Sequence, residues 1–179
     1  INRCYQAPIS KKNSGCIFHR KRITVSLNIT SIIPSEIQKL EDEMRSLTEM
    51  ILKEFSQPGK INLKLVSDEE MTELNHKFRD KNKTTNVLAF PNEGSYSLDD
   101  EIGDIALNIE CLEKESEEQG KELRSHFLHL LAHGILHLLG ETHYKLDDER
   151  KMEALEIDFL KRLNTVSYTH LRAHETRFY

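Results

Sequence analysis

Hydrophobic and polar positions in the first half of the chain predict two steps of strand followed by helix. Alternating apolar residues over 23–29 predict a strand, and a helical period follows over 34–57. A second strand is predicted over 61–66, and Ser67 is placed to cap a short helix that runs to about Phe78. The apolar positions of the first helix are Ile37, Leu40, Met44, Leu47 and Ile51.

The second half predicts two more strands and three helices. Apolar strands are expected over 86–90 and 103–109, with a polar, glycine-containing loop between them. Dense charge over 110–120 predicts a short solvated helix. Residues 121–139 are apolar over most of their length and predict a core helix, which Gly140 is placed to end.

The last predicted helix, over 147–163, is amphipathic, and its acidic residues are expected on the sides that face solvent. Its apolar side consists of Met152, Leu155, Phe159 and Leu163. These elements together predict an α+β fold, a small mixed β-sheet covered by helices with the 121–139 helix at the centre.

Both ends of the chain lack an apolar period, and we expect them to lie outside the fold. Residues 1–21, which lead into a basic cluster at 19–22, are expected to be a disordered N-terminal extension. Residues 165–179 are expected to be disordered or artefactual, since residues 167–176 resemble a translated sequencing-adaptor read-through. One domain is therefore predicted over 22–164.

The composition is typical of a soluble globular protein, with 37% hydrophobic and 31% charged residues. Neither a membrane-spanning run of about 18 apolar residues nor an apolar signal core is expected from the sequence. Three irregularly spaced cysteines, Cys4, Cys16 and Cys111, fit neither a disulfide framework nor a paired metal site, which favours the cytoplasm. The net charge of -5 would repel nucleic acid, so any RNA contact requires a local basic patch.

Three histidines have the spacing of a metal site. His133 and His137 are four residues apart on the predicted core helix, so they share one face and can bind one ion. Gly140 allows a sharp turn that brings His143 back towards the same ion. Three neutral imidazoles leave a tetrahedral zinc ion one open position for water, which indicates catalysis rather than structure. We therefore predict one zinc ion held by these three side chains.

Four of the remaining histidines are not predicted to bind the metal. His126 and His129 lie on the same predicted helix and are expected to pack in the core or to orient the metal ligands. His170 and His174 repeat the four-residue spacing, but they lie in the aperiodic tail without a third partner. No metal site is assigned to that pair.

The histidine spacing also matches the HExxHxxGxxH signature of metzincin proteases. In those enzymes the glutamate after the first histidine is the general base, and that position is Gly134 in this chain. A peptidase would need a carboxylate from elsewhere, with Asp104 or Glu141 as the candidates. A zinc metallopeptidase-like hydrolase therefore stays as an alternative function.

With glycine at that position, the segment HGILHLLGETH over 133–143 resembles the HGxLHLxGxDH motif of the YbeY family, a group of metal-dependent endoribonucleases. The stretch LNHKFRDKNKTTNVLAFP over 74–91 is similar to that family's LNxxYRxxxxPTxVLSFP. Gly103-Asp104-Ile105 is similar to its GDI strand, and the resemblance spans residues 22–163.

Three places depart from the family pattern. Thr84 stands where proline is usual, Ala89 replaces serine, and Glu141-Thr142 replaces a Tyr-Asp pair. Loss of that aspartate bears on how His143 is oriented, because carboxylates beside a metal ligand commonly fix its tautomer. Glu141 is the candidate to take its place.

The resemblance implies a zincin-like metal site and a zinc-dependent endoribonuclease that cuts single-stranded RNA. It further implies a role in ribosomal RNA maturation near the 3′ end of the small-subunit RNA and in ribosome quality control, with the ribosome or its small subunit as partner. A metal-binding ribosome-assembly factor with little nuclease activity is the second alternative.

Arg79 matches the family's arginine near the metal, where a guanidinium can bind a phosphodiester through its planar fork. Arg79 and the metal ligand His133 are the predicted catalytic residues. Lys77, Lys81 and Lys83 surround Arg79 and supply the local basic patch that the negative net charge requires.

Overall fold

The computed structural model describes residues 25–92 and 100–163, which form four strands and six helices. The strands are β1 (Val25–Ile29), β2 (Gly59–Val66), β3 (Val87–Pro91) and β4 (Glu101–Asn108). The helices are α1 (Ser35–Gln38), α2 (Glu41–Glu54), α3 (Asp68–Arg79), α4 (Ile109–Gln119), α5 (Leu123–Leu138) and α6 (Leu146–Arg162). The predicted N-terminal extension, the predicted tail and residues 93–99 of the polar loop lie outside the described residues.

The four strands form one mixed sheet in the order β1-β2-β4-β3. Strands β1, β2 and β4 run parallel to one another, and β3 is antiparallel beside β4. Parallel neighbours require a crossover connection, and α1 with α2 supplies the one between β1 and β2. The predicted α+β fold, with a small mixed sheet covered by helices, is confirmed.

The sheet separates two apolar layers, as the alternation of side chains along β4 requires. Ile105 and Leu107 belong to the main core, together with residues of α2, α5 and α6. Ala106 lies on the opposite face, where Met71 of α3 packs. Helix α5 is buried along nearly its whole length and is central, as predicted. Even α5 falls short of the length and apolar content needed to cross a bilayer, as does every other helix of the described segments.

Helices α3 and α5 end at the same end of the sheet, on opposite faces. A Cβ on Gly103, near the start of β4, would lie 2.4 Å from the Phe90 carbonyl oxygen and 2.8 Å from Cδ2 of Leu138, so only glycine allows this approach. Phe78, in the last turn of α3, packs against Phe90 with ring centroids 4.9 Å apart. The residues that follow α3 and α5 therefore come close together at this end of the sheet.

Two boundaries differ from the sequence prediction. The helix expected over 34–57 is two helices, because the Leu40 N–H bonds to the Ile37 carbonyl three residues back (2.9 Å), a tighter turn than an α-helix makes. Ile109, expected at the end of a strand, begins α4 instead. Here the Asn108 side chain accepts the Cys111 N–H (3.2 Å) and caps the helix.

Candidate metal centre

The C-terminal end of α5 forms a turn that carries the chain back towards the helix. Gly140 has φ +87°, a left-handed conformation that favours glycine. Its N–H bonds to the His137 carbonyl (3.0 Å), and the Glu141 N–H bonds to the Leu136 carbonyl (3.0 Å). These two bonds make a Schellman motif, so the helix ends where the glycine predicts.

Three imidazoles converge at this turn. The Nε2 atoms of His133 and His137 are 3.0 Å apart. One ligand atom from each of these two residues and from His143 lies within 4.8 Å of the others. Nitrogen ligands of a tetrahedral zinc ion are separated by roughly 3.4 Å, given Zn–N bonds of about 2.1 Å. The donor set and its spacing fit a metal ion, and the three side chains can hold one.

Acceptors on the protein fix the tautomers of the first two imidazoles. Nδ1 of His137 is 2.9 Å from the backbone carbonyl oxygen of Glu141, which can only accept a hydrogen bond. Nδ1 of His133 is 2.7 Å from a carboxylate oxygen of Glu156. Both Nδ1 atoms therefore carry the proton, and both Nε2 atoms keep a lone pair for a metal.

Glu156, on α6, is a site residue that the sequence interpretation missed. It is 4% exposed, and its carboxylate also accepts a hydrogen bond from Nε2 of His129 (2.8 Å). Glu156 lies four residues after Met152 and three before Phe159, both buried, so it belongs to the apolar side of α6. Its expected place among solvent-facing acids is wrong. A carboxylate within an apolar stripe is the signal that identifies it, because such a group needs a partner.

The electrostatics of the centre favour metal binding. Burial by itself would raise the pKa of Glu156, but hydrogen bonds from His129 and His133 outweigh burial and bring that pKa to about 2. Burial, reinforced by the neighbouring His133, lowers the pKa of His137 to about 3. Burial also lowers the pKa of His143. Low pKa values keep the imidazoles of His137 and His143 neutral near pH 7, which is the state in which imidazole binds a metal.

His126 belongs to a separate polar cluster, about two turns earlier on α5. Its Nε2 is 2.7 Å from the carboxylate of Glu115 on α4, and Asn86 donates to both oxygens of that carboxylate (3.2 Å each). Burial would raise the pKa of Glu115, but these hydrogen bonds outweigh burial and lower it. His126 is thus a packed core residue, whereas His129 shares a carboxylate with His133.

Glu141 contributes through its backbone rather than its side chain. Its carboxylate accepts two 2.7 Å bonds from Nζ of Lys151 on α6, so the side chain is engaged there. Its carbonyl oxygen accepts the proton of His137 Nδ1. The Glu141 carboxylate, expected beside His143, is thus bound to Lys151, and Glu141 acts on His137 through its main chain.

Arg79, the last residue of α3, is partly buried. Burial lowers the pKa of its guanidinium, and an electrostatic interaction with Tyr144 opposes that shift. Because Tyr144 directly follows His143, the Arg79 side chain lies near the loop that carries the third imidazole. The predicted basic patch surrounds this helix end, with Lys77 and Lys83 exposed.

Neither Asp104, a sequence candidate for a general base, nor position 134, where metzincins carry their glutamate, faces the three imidazoles. Asp104 is exposed and accepts a hydrogen bond from Nδ2 of Asn62 (2.8 Å). It alternates with Ile105, so it lies on the sheet face opposite α5. Gly134 packs against the sheet, since a Cβ there would lie 3.2 Å from two side-chain carbons of Ile105. The metzincin glutamate position therefore faces the core in this protein.

The chain is similar to known proteins in sequence and in fold. The sequence profile of the family described as Endoribonuclease YbeY matches residues 23–164. The chain is 40% identical over 125 residues to Endoribonuclease YbeY of Pseudomonas fluorescens, which covers 69% of this chain and 82% of that protein. It is 37% identical over 144 residues to Endoribonuclease YbeY of Legionella pneumophila, which covers 79% of this chain and 91% of that protein. A solution structure of a Thermotoga maritima protein, 22% identical, has a TM-score of 0.57 over 84% of this chain and 99% of that one, and it shows the shared fold.

Fold and site together define an α+β protein with a three-histidine centre, able to hold a metal ion, at the end of a core helix. The chain belongs to the endoribonuclease YbeY family. The resemblance drawn from the histidine motif and from residues 74–91 is thereby confirmed.

Proposed function

We propose that this protein is a zinc-dependent endoribonuclease that cleaves single-stranded RNA, with Arg79 and the centre of His133, His137 and His143 as its active site. The observation that carries the proposal is the convergence of three imidazoles, two of which have their Nδ1 protons held by acceptors on the protein. Such support behind the ligands distinguishes a preorganised metal site from histidines that merely line a buried helix.

The residues of the chain set the geometry of the proposed reaction. Three imidazoles suit zinc and leave a fourth position for water. When bound, the ion would make that water easier to deprotonate and would polarise a phosphoryl oxygen. Glu156 keeps the ring of His133 in the tautomer that exposes Nε2, and the Glu141 carbonyl does the same for His137.

Arg79 is the residue that we propose binds the scissile phosphodiester. Its guanidinium can donate two parallel hydrogen bonds to phosphate oxygens and neutralise the charge that develops during attack at phosphorus. Partial burial strengthens such a contact, because charges interact more strongly away from bulk water. Lys77 and Lys83, exposed beside this helix end, are placed to contact neighbouring phosphates.

We extend the proposal to ribosomal RNA, with maturation near the 3′ end of the small-subunit RNA and ribosome quality control in the cytoplasm as the setting. Support comes from family membership and from the roles that the resemblance implies. The net charge of -5 requires RNA to engage the basic patch rather than the field of the whole molecule. Binding should therefore weaken as salt concentration rises.

Peptide hydrolysis is less well supported by the site. The position of the metzincin general base is Gly134, which packs on Ile105, and a glutamate there would enter the core. Of the other two candidates, Asp104 lies on the far sheet face, and the Glu141 carboxylate binds Lys151. No observation on the described residues favours a peptidase over a nuclease.

The test is cleavage of a fluorescent single-stranded RNA by the zinc-loaded full chain, by the chelator-treated chain and by Arg79→Ala. Cleavage should stop on chelation, and Arg79→Ala should lower its rate by about 100-fold or more, as removal of a group that stabilises developing charge does. Arg162→Ala is the matched control. Arg162 is the last residue of α6, and its guanidinium forms exposed salt bridges with Glu54 and Asp158. Salt bridges of this kind contribute little to stability.

Arg162 lies about 9 Å along α6 beyond Glu156 and is exposed, so its variant should cleave at the wild-type rate. Folded, zinc-bound protein that leaves RNA intact would contradict the proposed nuclease. If that protein still bound ribosomal particles, the result would favour the assembly-factor alternative. Chelator-sensitive cleavage of a peptide would favour the peptidase.

A further inference from the structure

Two exposed aromatic side chains flank the proposed active site. Tyr144 follows His143 and is 75% exposed, while Phe78 precedes Arg79 and is 56% exposed. Within the described segments, the other large hydrophobic side chains that are similarly exposed are aliphatic, Ile32 and Leu146. The exposed aromatic rings of these segments thus lie next in sequence to a proposed metal ligand and to the proposed phosphate-binding residue.

The two rings occur in the same part of the surface. Phe78 packs against Phe90 at the end of the sheet where α5 also ends. Tyr144 follows His143, which clusters with His133 and His137 at the end of α5, and its electrostatic interaction with Arg79 agrees with this placement. Exposure of a large aromatic group to water is unfavourable, so two such rings beside a functional site indicate a binding role.

The neighbouring charges suit a nucleic-acid strand. The Lys77 ammonium lies 5.2 Å from the ring centroid of Phe78, and Arg79 follows directly. Aromatic rings interleaved with basic side chains are the arrangement by which proteins bind single strands, since rings stack on bases while cations follow the phosphates. The Phe90 ring beneath Phe78 limits its motion, so less conformational freedom is lost when a base stacks on it.

We infer that Tyr144 and Phe78 form a stacking platform for unpaired nucleobases beside the scissile phosphate and thereby select single-stranded RNA. This inference rests on the proposed nuclease function and names the feature of the substrate that the site reads. Bases within a duplex stack on one another, whereas unpaired bases can turn a face to a protein ring. Phosphate contacts alone do not make this distinction, because both forms of RNA carry the same phosphates.

The test is equilibrium binding by the chelator-treated full chain, so that cleavage does not interfere. Fluorescence anisotropy compares a short single-stranded RNA with an abasic strand of equal length and charge. Tyr144→Ala and Phe78→Ala should each raise the Kd for the normal strand by about five- to tenfold, the lower part of the range for loss of one stacked base. The Kd for the abasic strand should stay unchanged.

Further variants separate stacking from other effects. Tyr144→Phe keeps the ring and should restore most of the affinity that Tyr144→Ala loses. Phe78→Leu retains an apolar contact with Phe90 but has no ring face, so it should bind weakly while its melting temperature stays near that of the wild type. Ile32→Ala is the matched control, because Ile32 is 96% exposed and follows β1 at the opposite end of the sheet.

Equal loss of affinity for the normal and abasic strands would overturn the inference, and so would unchanged affinity in both alanine variants. The cleavage assay reports separately on the proposed function. A wild-type chain that cleaves RNA while both variants bind the normal strand as before would refute stacking and leave the nuclease intact. A chain that does not cleave, but loses base-dependent affinity in the variants, would refute the nuclease and support stacking.

Discussion

Replacing Glu156 with glutamine should weaken metal binding without removing any ligand. The carboxylate accepts hydrogen bonds from His133 and His129, whereas an amide of the same size offers one acceptor oxygen and one N–H₂ donor. One of the two imidazoles must then face a donor. Where that imidazole is His133, its proton has to move from Nδ1 to Nε2, the atom that would bind the metal.

The magnitude follows from how strongly the site favours an ionised carboxylate. Burial opposes ionisation, yet the two histidines lower the pKa of Glu156 from 4.5 to about 2, which corresponds to about 3 kcal/mol in favour of the charged form. Glu156 is 4% exposed, so water screens it little. This stabilisation is present above pH 4.5 and is lost as the pH falls towards 2. Loss of a carboxylate behind a ligand imidazole typically raises a metal Kd by about 10- to 100-fold, and we expect a zinc Kd in that range.

The assay is competition for zinc against a colorimetric chelator at neutral pH, with a thermal melt of each variant. Glu115→Gln is the matched control. Its carboxylate lies 2.7 Å from Nε2 of His126, which is on α5 like His133 but is not one of the three clustered imidazoles. The control should keep the wild-type zinc Kd. A folded Glu156→Gln protein with the wild-type Kd would refute the reasoning, and equal weakening in both variants would point to general loosening of the core.

Three further predictions concern stability and reactivity. Gly134→Glu should lower the free energy of unfolding in urea by about 2 kcal/mol or more, because the new side chain would press on Ile105 and bury a carboxylate. Wild-type stability would contradict this and show that β4 moves to make room. Burial, aided by the Glu115 carboxylate, raises the pKa of Cys111 to about 12, so iodoacetamide should label it more slowly in the native than in the unfolded chain at mildly alkaline pH, as read by peptide mass spectrometry. Burial lowers the pKa of His137 from 6.5 to about 3, so between these pH values the unfolded chain binds a proton that the metal-free folded protein does not. The free energy of unfolding in urea should therefore fall as the pH is lowered from 6.5 towards 3. A smaller fall in His137→Leu would support this assignment.

The local parts of the site could be predicted because they depend on spacing along the chain. A separation of four residues on a helix places His133 and His137 on one face, whatever the rest of the fold does. Gly140 ends that helix through hydrogen bonds between residues about one turn apart. The turn that brings His143 back towards the helix is therefore also determined by neighbouring residues in the sequence. The same reasoning explains why most helix and strand positions agree with the structure.

Placement of residues on one or the other sheet face was not predictable in this way. Alternation along β4 shows that Asp104 and Ile105 point in opposite directions, but it does not say which helix covers which face. That depends on the strand order β1-β2-β4-β3 and on the crossovers between parallel strands, which are long-range features. The packing of Ile105 against Gly134 puts α5 on the sheet face opposite Asp104, and this contact depends on that long-range order.

The acceptors that hold the Nδ1 protons of the imidazoles belong to two separate parts of the chain. His133 depends on Glu156 of α6, whereas His137 depends on the Glu141 carbonyl in the turn after α5. Lys151 of α6 also binds the Glu141 side chain, so the same helix holds that turn in place. The hydrogen bond that orients His133 forms only when α6 is docked on α5, and bound metal must therefore stabilise that docking by the same free energy by which docking strengthens metal binding.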